Sequence, residues 1–173
     1  KQVEEIRIYD INQEAAQKYC QELSETYGVR VVAVESVEAA VRGADVINVA
    51  TAGAVSPEIH DEWLKEGVLL TLPASAALSL DTMKSSRIVV DNWKMYEAYA
   101  QELRGLPGGY AANLSGICGY LMDLVESGEI PQKDIVNLGD VIAGKQECRR
   151  NDRERVIFIM DGMPIEDLAW GYT

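Results

Sequence analysis

Apolar residues at Ala15, Ala16, Tyr19, Cys20, Leu23 and Tyr27 recur at the spacing of one helical face. They predict a helix opening at Asn12, a good N-cap, and stopping at Gly28, which suits a left-handed terminal position. Before it, Val3, Ile6 and Ile8 read as a short strand running into Tyr9 and Asp10. After it, β-branched residues over 29–34 predict a strand, and Ser36 caps a short helix over 37–42 that Gly43 ends. The next strand covers 45–50. A helical turn at 61–65 is closed by Gly67, and strands follow at 68–72 and 87–90, the last ending at Asp91 and Asn92. Near-continuous apolar strands of this length, each followed by a helical stretch, predict an α/β fold. Its sheet is parallel, with helices on both faces and right-handed crossovers.

Beyond Asn92 the pattern changes. Helices are predicted over 95–103 and 117–125, separated by the breaker cluster Gly105-Leu106-Pro107-Gly108-Gly109. A polar stretch leads to a late strand at about 155–160, and Pro164, with Glu166 and Asp167 behind it, marks the start of a closing helix. The expected division is therefore 1–93 as a run of strand–helix units and 94–173 as a helical continuation with one late strand. Both ends read as interior to a longer pattern.

Composition narrows the partners. The 173 residues are 47% hydrophobic and 25% charged, with a net charge of -12. Such acidity, without a Lys/Arg-rich run, argues against nucleic acid and anionic membrane partners. Apolar runs such as 29–34 fall far short of the roughly 20 residues a membrane helix needs. Cys20, Cys118 and Cys148 are widely spaced, no C-x-x-C pair occurs and His60 is the only histidine. No metal site is expected, and reduced thiols point to a cytoplasmic setting.

In parallel sheets, ligands bind at the carboxyl ends of strands, which singles out Asp10 and Ile11, Glu35 and Ser36, Thr51 to Ala54, the loop 73–76 with Ser75, and Asp91 to Trp93. Asp10 has two readings: a strand-end acid capping the next helix, or the acid that grips a dinucleotide ribose at the end of the second strand. In the second reading an acid there also repels a 2′-phosphate, favouring NAD over NADP. That acid ordinarily follows a G-x-G-x-x-G turn by about 20 residues; no such turn occurs in the chain. The domain is therefore expected to be incomplete at the amino end, without a first strand and Gly-rich turn. Thr51-Ala52-Gly53 is either a close-approach loop or an ordinary tight turn.

The ordered set Ile8-Tyr9-Asp10-Ile11, Ser36-Val37-Glu38-Ala39-Ala40-Val41-Arg42-Gly43-Ala44-Asp45-Val46-Ile47 and Trp63-Leu64-Lys65-Glu66-Gly67 resembles the ornithine cyclodeaminase/μ-crystallin family. Val89-Val90-Asp91, Gly139-Asp140-Val141-Ile142-Ala143-Gly144-Lys145 and Gly162-Met163-Pro164-Ile165-Glu166-Asp167-Leu168-Ala169 extend the likeness over nearly the whole chain. The resemblance implies a Rossmann-type sheet, NAD(P)-dependent hydride transfer at the α-carbon of an amino acid or its imine, and a homodimer. It places Thr51, Ala52 and Gly53 over the nicotinamide ribose and Ser75 beside the ring. It leaves the catalytic residues unknown. Cyclodeaminases carry an aspartate after the fifth strand, whereas here the loop 72–78 has no ionisable side chain before Asp81. A dehydrogenase or imine reductase is thus favoured over an ammonia-releasing lyase, with a non-catalytic binding protein on the same fold as a third reading. The family's dimerisation region is expected to pack on exposed apolar residues Leu121, Leu124 and Val125.

Other residues have plain structural readings. His60, beside Asp61 and Glu62, reads as a surface histidine; Asp91 as structural or near the nicotinamide. Gly108-Gly109 and Gly116-x-x-Gly119 follow no strand and read as hinges or helix ends, and Cys118 as a small buried apolar group.

Overall fold

The computed structural model describes residues 3–52, 56–114, 116–162 and 171. The first unit is β1 (Glu5–Ile8), α1 (Gln13–Tyr27) and β2 (Arg30–Ala33), followed by α2 (Val37–Val41), β3 (Val46–Asn48), a 3₁₀ turn at Asp61–Trp63 and β4 (Leu69–Leu72). Then come α3 (Leu80–Ser85), β5 (Arg87–Val90), α4 (Trp93–Leu103), α5 (Gly109–Asn113) and α6 (Ile117–Glu126). A second 3₁₀ turn at Gln132–Asp134 leads to β6 (Val136–Asn137), α7 (Leu138–Ile142) and β7 (Val156–Ile159).

The local chemistry sets the boundaries. Asn12 accepts the Ala15 N–H, Ser36 the Ala39 N–H, and Ser79 the Thr82 N–H, each an N-cap for the helix that follows. Gly28, at φ 65, donates back to Ser24 and stops α1. Gly108 and Gly116 sit at the starts of α5 and α6, as helix ends. The helix expected from Pro164 lies outside the described residues.

Among the described residues every strand pairing is parallel, but the strands form two sheets: β1–β2, and a five-stranded sheet in the order β3-β4-β7-β5-β6. The late strand β7 enters between β4 and β5, so residues after 94 are woven into the sheet begun before 93. The core lies on the five-stranded sheet. Val90, Ile159, Leu121 and Tyr96 are 0% exposed there, and Leu70, Leu72 and Ile157 1%.

The docking face expected at Leu121, Leu124 and Val125 is corrected by this packing. Leu121 and Leu124 are buried in the core and Val125 packs against it. The reason is visible in α6 itself: Ile117, Cys118, Leu121, Met122 and Leu124 leave no broad polar face, and such a helix belongs inside. α1 departs the other way. Of its apolar stripe only Ala16 and Cys20 are buried, while Tyr19 and Tyr27 are 53% and 71% exposed.

Candidate functional site

The site is built from the carboxyl ends of the parallel strands. β1 runs into Asp10, whose Oδ1 accepts the Asn12 N–H at 2.7 Å. The Gln13 amide donates to the Asp10 carbonyl at 2.8 Å and to the Val34 carbonyl at 3.3 Å, tying the turn to the end of β2. The carboxylate is thus held in a fixed turn yet stays exposed. Beside it, Ile11 is 90% exposed, an apolar side chain with almost no cover from the protein.

Past β3, Val49 donates to the Thr71 carbonyl and accepts from Ala74, both at 3.0 Å, which keeps the β3 and β4 ends level. Thr51 and Ala52 follow, exposed, and Gly53 lies outside the described residues. Ser75 is half-buried and faces Gly116, where an added Cβ would come within 2.8 Å of the serine Oγ. With φ at +86, Gly116 is required both by its backbone and by this close approach. A cleft of about 330 Å³ opens between the two, bounded by Ser56, Ala77, Ile117 and Tyr120.

The ends of β7 and β5 carry two acids. Met160 donates to the Leu72 carbonyl at 3.3 Å, and the next residue, Asp161, donates its N–H to Asp91 Oδ2 at 3.0 Å. Asp91 Oδ1 accepts the Asn92 N–H at 2.9 Å. The Asp161 carboxylate adds to the upward push on the Tyr99 hydroxyl and the Cys118 thiol, and the Tyr96 hydroxyl lies 3.7 Å from the Cys118 sulfur. Burial, ahead of the neighbouring acids, pushes the Tyr96 and Tyr99 hydroxyls up, and burial pushes the Cys118 thiol up to about 12. All three stay protonated and act as donors near neutral pH. Asp161 was not singled out from the sequence, although an acid directly after an apolar strand is the same signal that marked Asp10 and Asp91.

A larger cleft, about 600 Å³, lies further out, between the starts of α4 and α7, lined by Asp91, Trp93, Lys94, Glu97, Asn137 and Asp140. His60 stays at the surface, edge-on at 4.4 Å to Trp63. Among the described residues no cluster of His, Cys, Asp and Glu is arranged to hold a metal ion.

The strand ends therefore bring Ser75, Thr51 and Ala52 to one edge, with Asp10 and Ile11 on the separate β1–β2 sheet. This is the edge at which parallel α/β sheets of the Rossmann type hold a dinucleotide. The chain belongs to the ornithine cyclodeaminase/mu-crystallin family, whose model matches residues 1–172. It is 29% identical to an alanine dehydrogenase of Archaeoglobus fulgidus over 95% of this chain and 46% of that protein. It is 27% identical to an ornithine cyclodeaminase of Brucella melitensis over 96% and 41%. In structure it is similar to the Thermococcus litoralis Delta(1)-pyrroline-2-carboxylate reductase solved with NADH and L-proline, with TM-score 0.69, 26% identity and coverage of 95% and 47%. The chain thus spans about half the length of the relatives it matches.

Proposed function

We propose that the chain is the nucleotide-binding part of an NAD-dependent oxidoreductase that moves a hydride between the nicotinamide and the α-carbon of an amino acid or its imine. The observation that carries this reading is Asp10. Its carboxylate sits at the end of β1, pinned by the Asn12 N–H and open to solvent, where it would accept from the hydroxyls of a ribose diol. The same charge disfavours a 2′-phosphate, so NAD is preferred over NADP. Ile11 offers an apolar flank for the purine. Thr51 and Ala52, small and exposed, let the cofactor approach the backbone, with Gly53 completing that loop. Ser75, beside the 330 Å³ cleft, borders the nicotinamide. Bound NAD supplies the hydride acceptor; these residues orient it and exclude water.

Residues 1–93 then carry the nucleotide-facing strands, without a first strand and Gly-rich turn, and 94–173 the helical continuation whose late strand joins the same sheet. A homodimer in the cytoplasm completes the proposal, the latter supported by three free cysteines. The cyclodeaminase alternative is disfavoured because the loop after β4 presents Ser75 and no acid.

Amide chemical shifts during millimolar NADH addition test the site. Shifts centred on residues 10–12, 51–52 and 75 are expected; shifts confined to the outer cleft at 92–97 and 137–142, or none, would overturn it. With the whole protein, deuterium from [4-²H]NADH should appear at the product α-carbon. Ammonia release with no net NADH change would instead establish the lyase.

A further inference from the structure

β5 and β6 are parallel neighbours, with Val89 opposite Val136 and Val90 opposite Asn137, and the chain leaves their carboxyl ends in opposite directions. From β5 it runs through α4, α5 and α6 and moves one place outward to β6. From β6 it runs through α7 and returns past β5 to β7. Right-handed crossovers that run in opposite directions put their helices on opposite faces of a sheet. The packing shows this division. Ile88 and Val90 share a core with Tyr96 of α4 and Leu121 of α6, whereas Val89, Val136 and Val156 pack against Leu138 and Val141 of α7. The helices part at the ends of β5 and β6, and such a switch point is where open α/β sheets leave a crevice for a ligand. The cleft of about 600 Å³ lies there.

Much of the polar chemistry around this cleft is already spent inside the fold. Asp91 accepts from the Asn92 and Asp161 N–H groups, Glu97 from the Gln132 amide at 3.0 Å, and Asn137 Oδ1 from the Trp93 N–H at 2.7 Å. Asp140 lies 3.5 Å from the Lys145 ammonium. What is left over are donors. Among the described residues, the Lys94 ammonium and the Asn137 side-chain N–H₂ have no hydrogen-bond or ion-pair partner, and the Trp93 indole N–H is buried without an acceptor. Buried donors are ordinarily paired. Ile142 adds an apolar side chain that is 78% exposed.

We propose that this crevice binds a free α-amino acid with an apolar side chain. The lining sets the carboxylates of Asp91, Glu97 and Asp140 against the single ammonium of Lys94. That excess repels a bare anion, and a bare cation leaves Lys94 unanswered; a zwitterion suits both. Its carboxylate accepts from Lys94 and Asn137, its ammonium faces Glu97 and Asp140, and its side chain covers Ile142. β6 lies three strand spacings, roughly 14 Å, from β4. The cleft shares no residue with Asp10, Ile11, Thr51, Ala52 and Ser75, so amino acid binding here does not depend on a dinucleotide at the other strand ends.

The probe is L-leucine, added at millimolar concentration to the ¹⁵N-labelled chain, beside isocaproate, which lacks its ammonium, and isoamylamine, which lacks its carboxylate. L-leucine should give saturable shifts of the Trp93 indole N–H, the Asn137 side-chain N–H₂ and the amides of 93–97 and 138–142. Each singly charged analogue should bind at least about tenfold more weakly, having lost one charge-assisted contact. Lys94→Met should weaken L-leucine about tenfold and leave isoamylamine unchanged, and Glu97→Gln should weaken L-leucine and leave isocaproate unchanged. Both positions are exposed, so the fold tolerates either change. No saturable shift, shifts centred on 10–12, 51–52 and 75, an analogue that binds as well as L-leucine, or indifference to both variants would overturn the site. NADH titrated in a parallel sample separates the two proposals. Cleft shifts with L-leucine but none at 10–12, 51–52 and 75 with NADH overturn the nucleotide reading alone, and the opposite pair of results overturns the amino acid site alone.

Discussion

The β1–α1–β2 unit and the five-stranded sheet use the same grammar of parallel strands and capped helices, yet they are buried very differently. In the five-stranded sheet, β5 and β7 bury Val90 and Ile159 completely and sit between neighbours on both sides. β1 has no residue in the buried class, and its unit contributes only Ala16, Cys20 and Val31 to the buried apolar set. Regular secondary structure therefore does not measure local stability; the number of covered faces does. The candidate ribose acid, Asp10, stands on the weakly covered half, while Thr51 and Ser75 stand on the strongly covered one. A ligand at this edge would span the two.

Core truncation should break the comparison most visibly. Ile159→Ala, at 0% exposure, is expected to cost about 3 kcal/mol, whereas Ile6→Ala in β1, at 37%, should cost under about 1 kcal/mol, read from urea midpoints. Equal losses would mean that β1 is as well packed as β7. Thiol labelling sharpens the same contrast. Cys20 and Cys118 are 5% and 3% exposed, so both need an opening event to react. Cys20 on α1 should label at least about tenfold faster than Cys118, through local opening; matching rates would show one cooperative unit.

Alkaline pH acts on the covered half. The folded Cys118 thiol is pushed by burial from an ordinary 9.0 up to about 12, so folding favours the protonated form. Its contribution is fully present below pH 9.0 and is lost as pH rises towards about 12. The melting temperature should fall over that window, and less steeply in Cys118→Ala. The smallest effect concerns the caps. Ser79→Ala removes the acceptor for the Thr82 N–H, and Asn12→Ala that for the Ala15 N–H, each worth about 1 kcal/mol locally. Global melting should register Ser79→Ala, while Asn12→Ala should chiefly raise Cys20 reactivity.

Much of the fold was legible because its signals are local. Asn12, Ser36 and Gly28 mark their helix ends by their own chemistry, and strands such as 87–90 declare themselves by unbroken β-branched residues. What could not be read is what depends on distant partners. Nothing near Val156 reveals that β7 lies between β4 and β5, and β6, with two residues, has no pattern to read. The candidate site divides likewise: Asp10, Thr51 and Ser75 are candidates by the strand-end rule, whereas the hydrogen bond from the Asp161 N–H to Asp91 exists only once the sheet is assembled. Leu121 and Leu124 lie inside rather than at a surface because their helix is apolar nearly all round.

The central claim, that these strand ends form a dinucleotide edge with no G-x-G-x-x-G turn in the sequence to hold the pyrophosphate, is tested most directly by titrating NADH onto the 173-residue chain alone. Energy transfer from Trp63 and Trp93 reports the binding. Without a Gly-rich helix start to hold the pyrophosphate, no saturation below about millimolar concentration is expected. Tight, saturable binding would contradict the account, because the pyrophosphate would then be held by residues already in the chain.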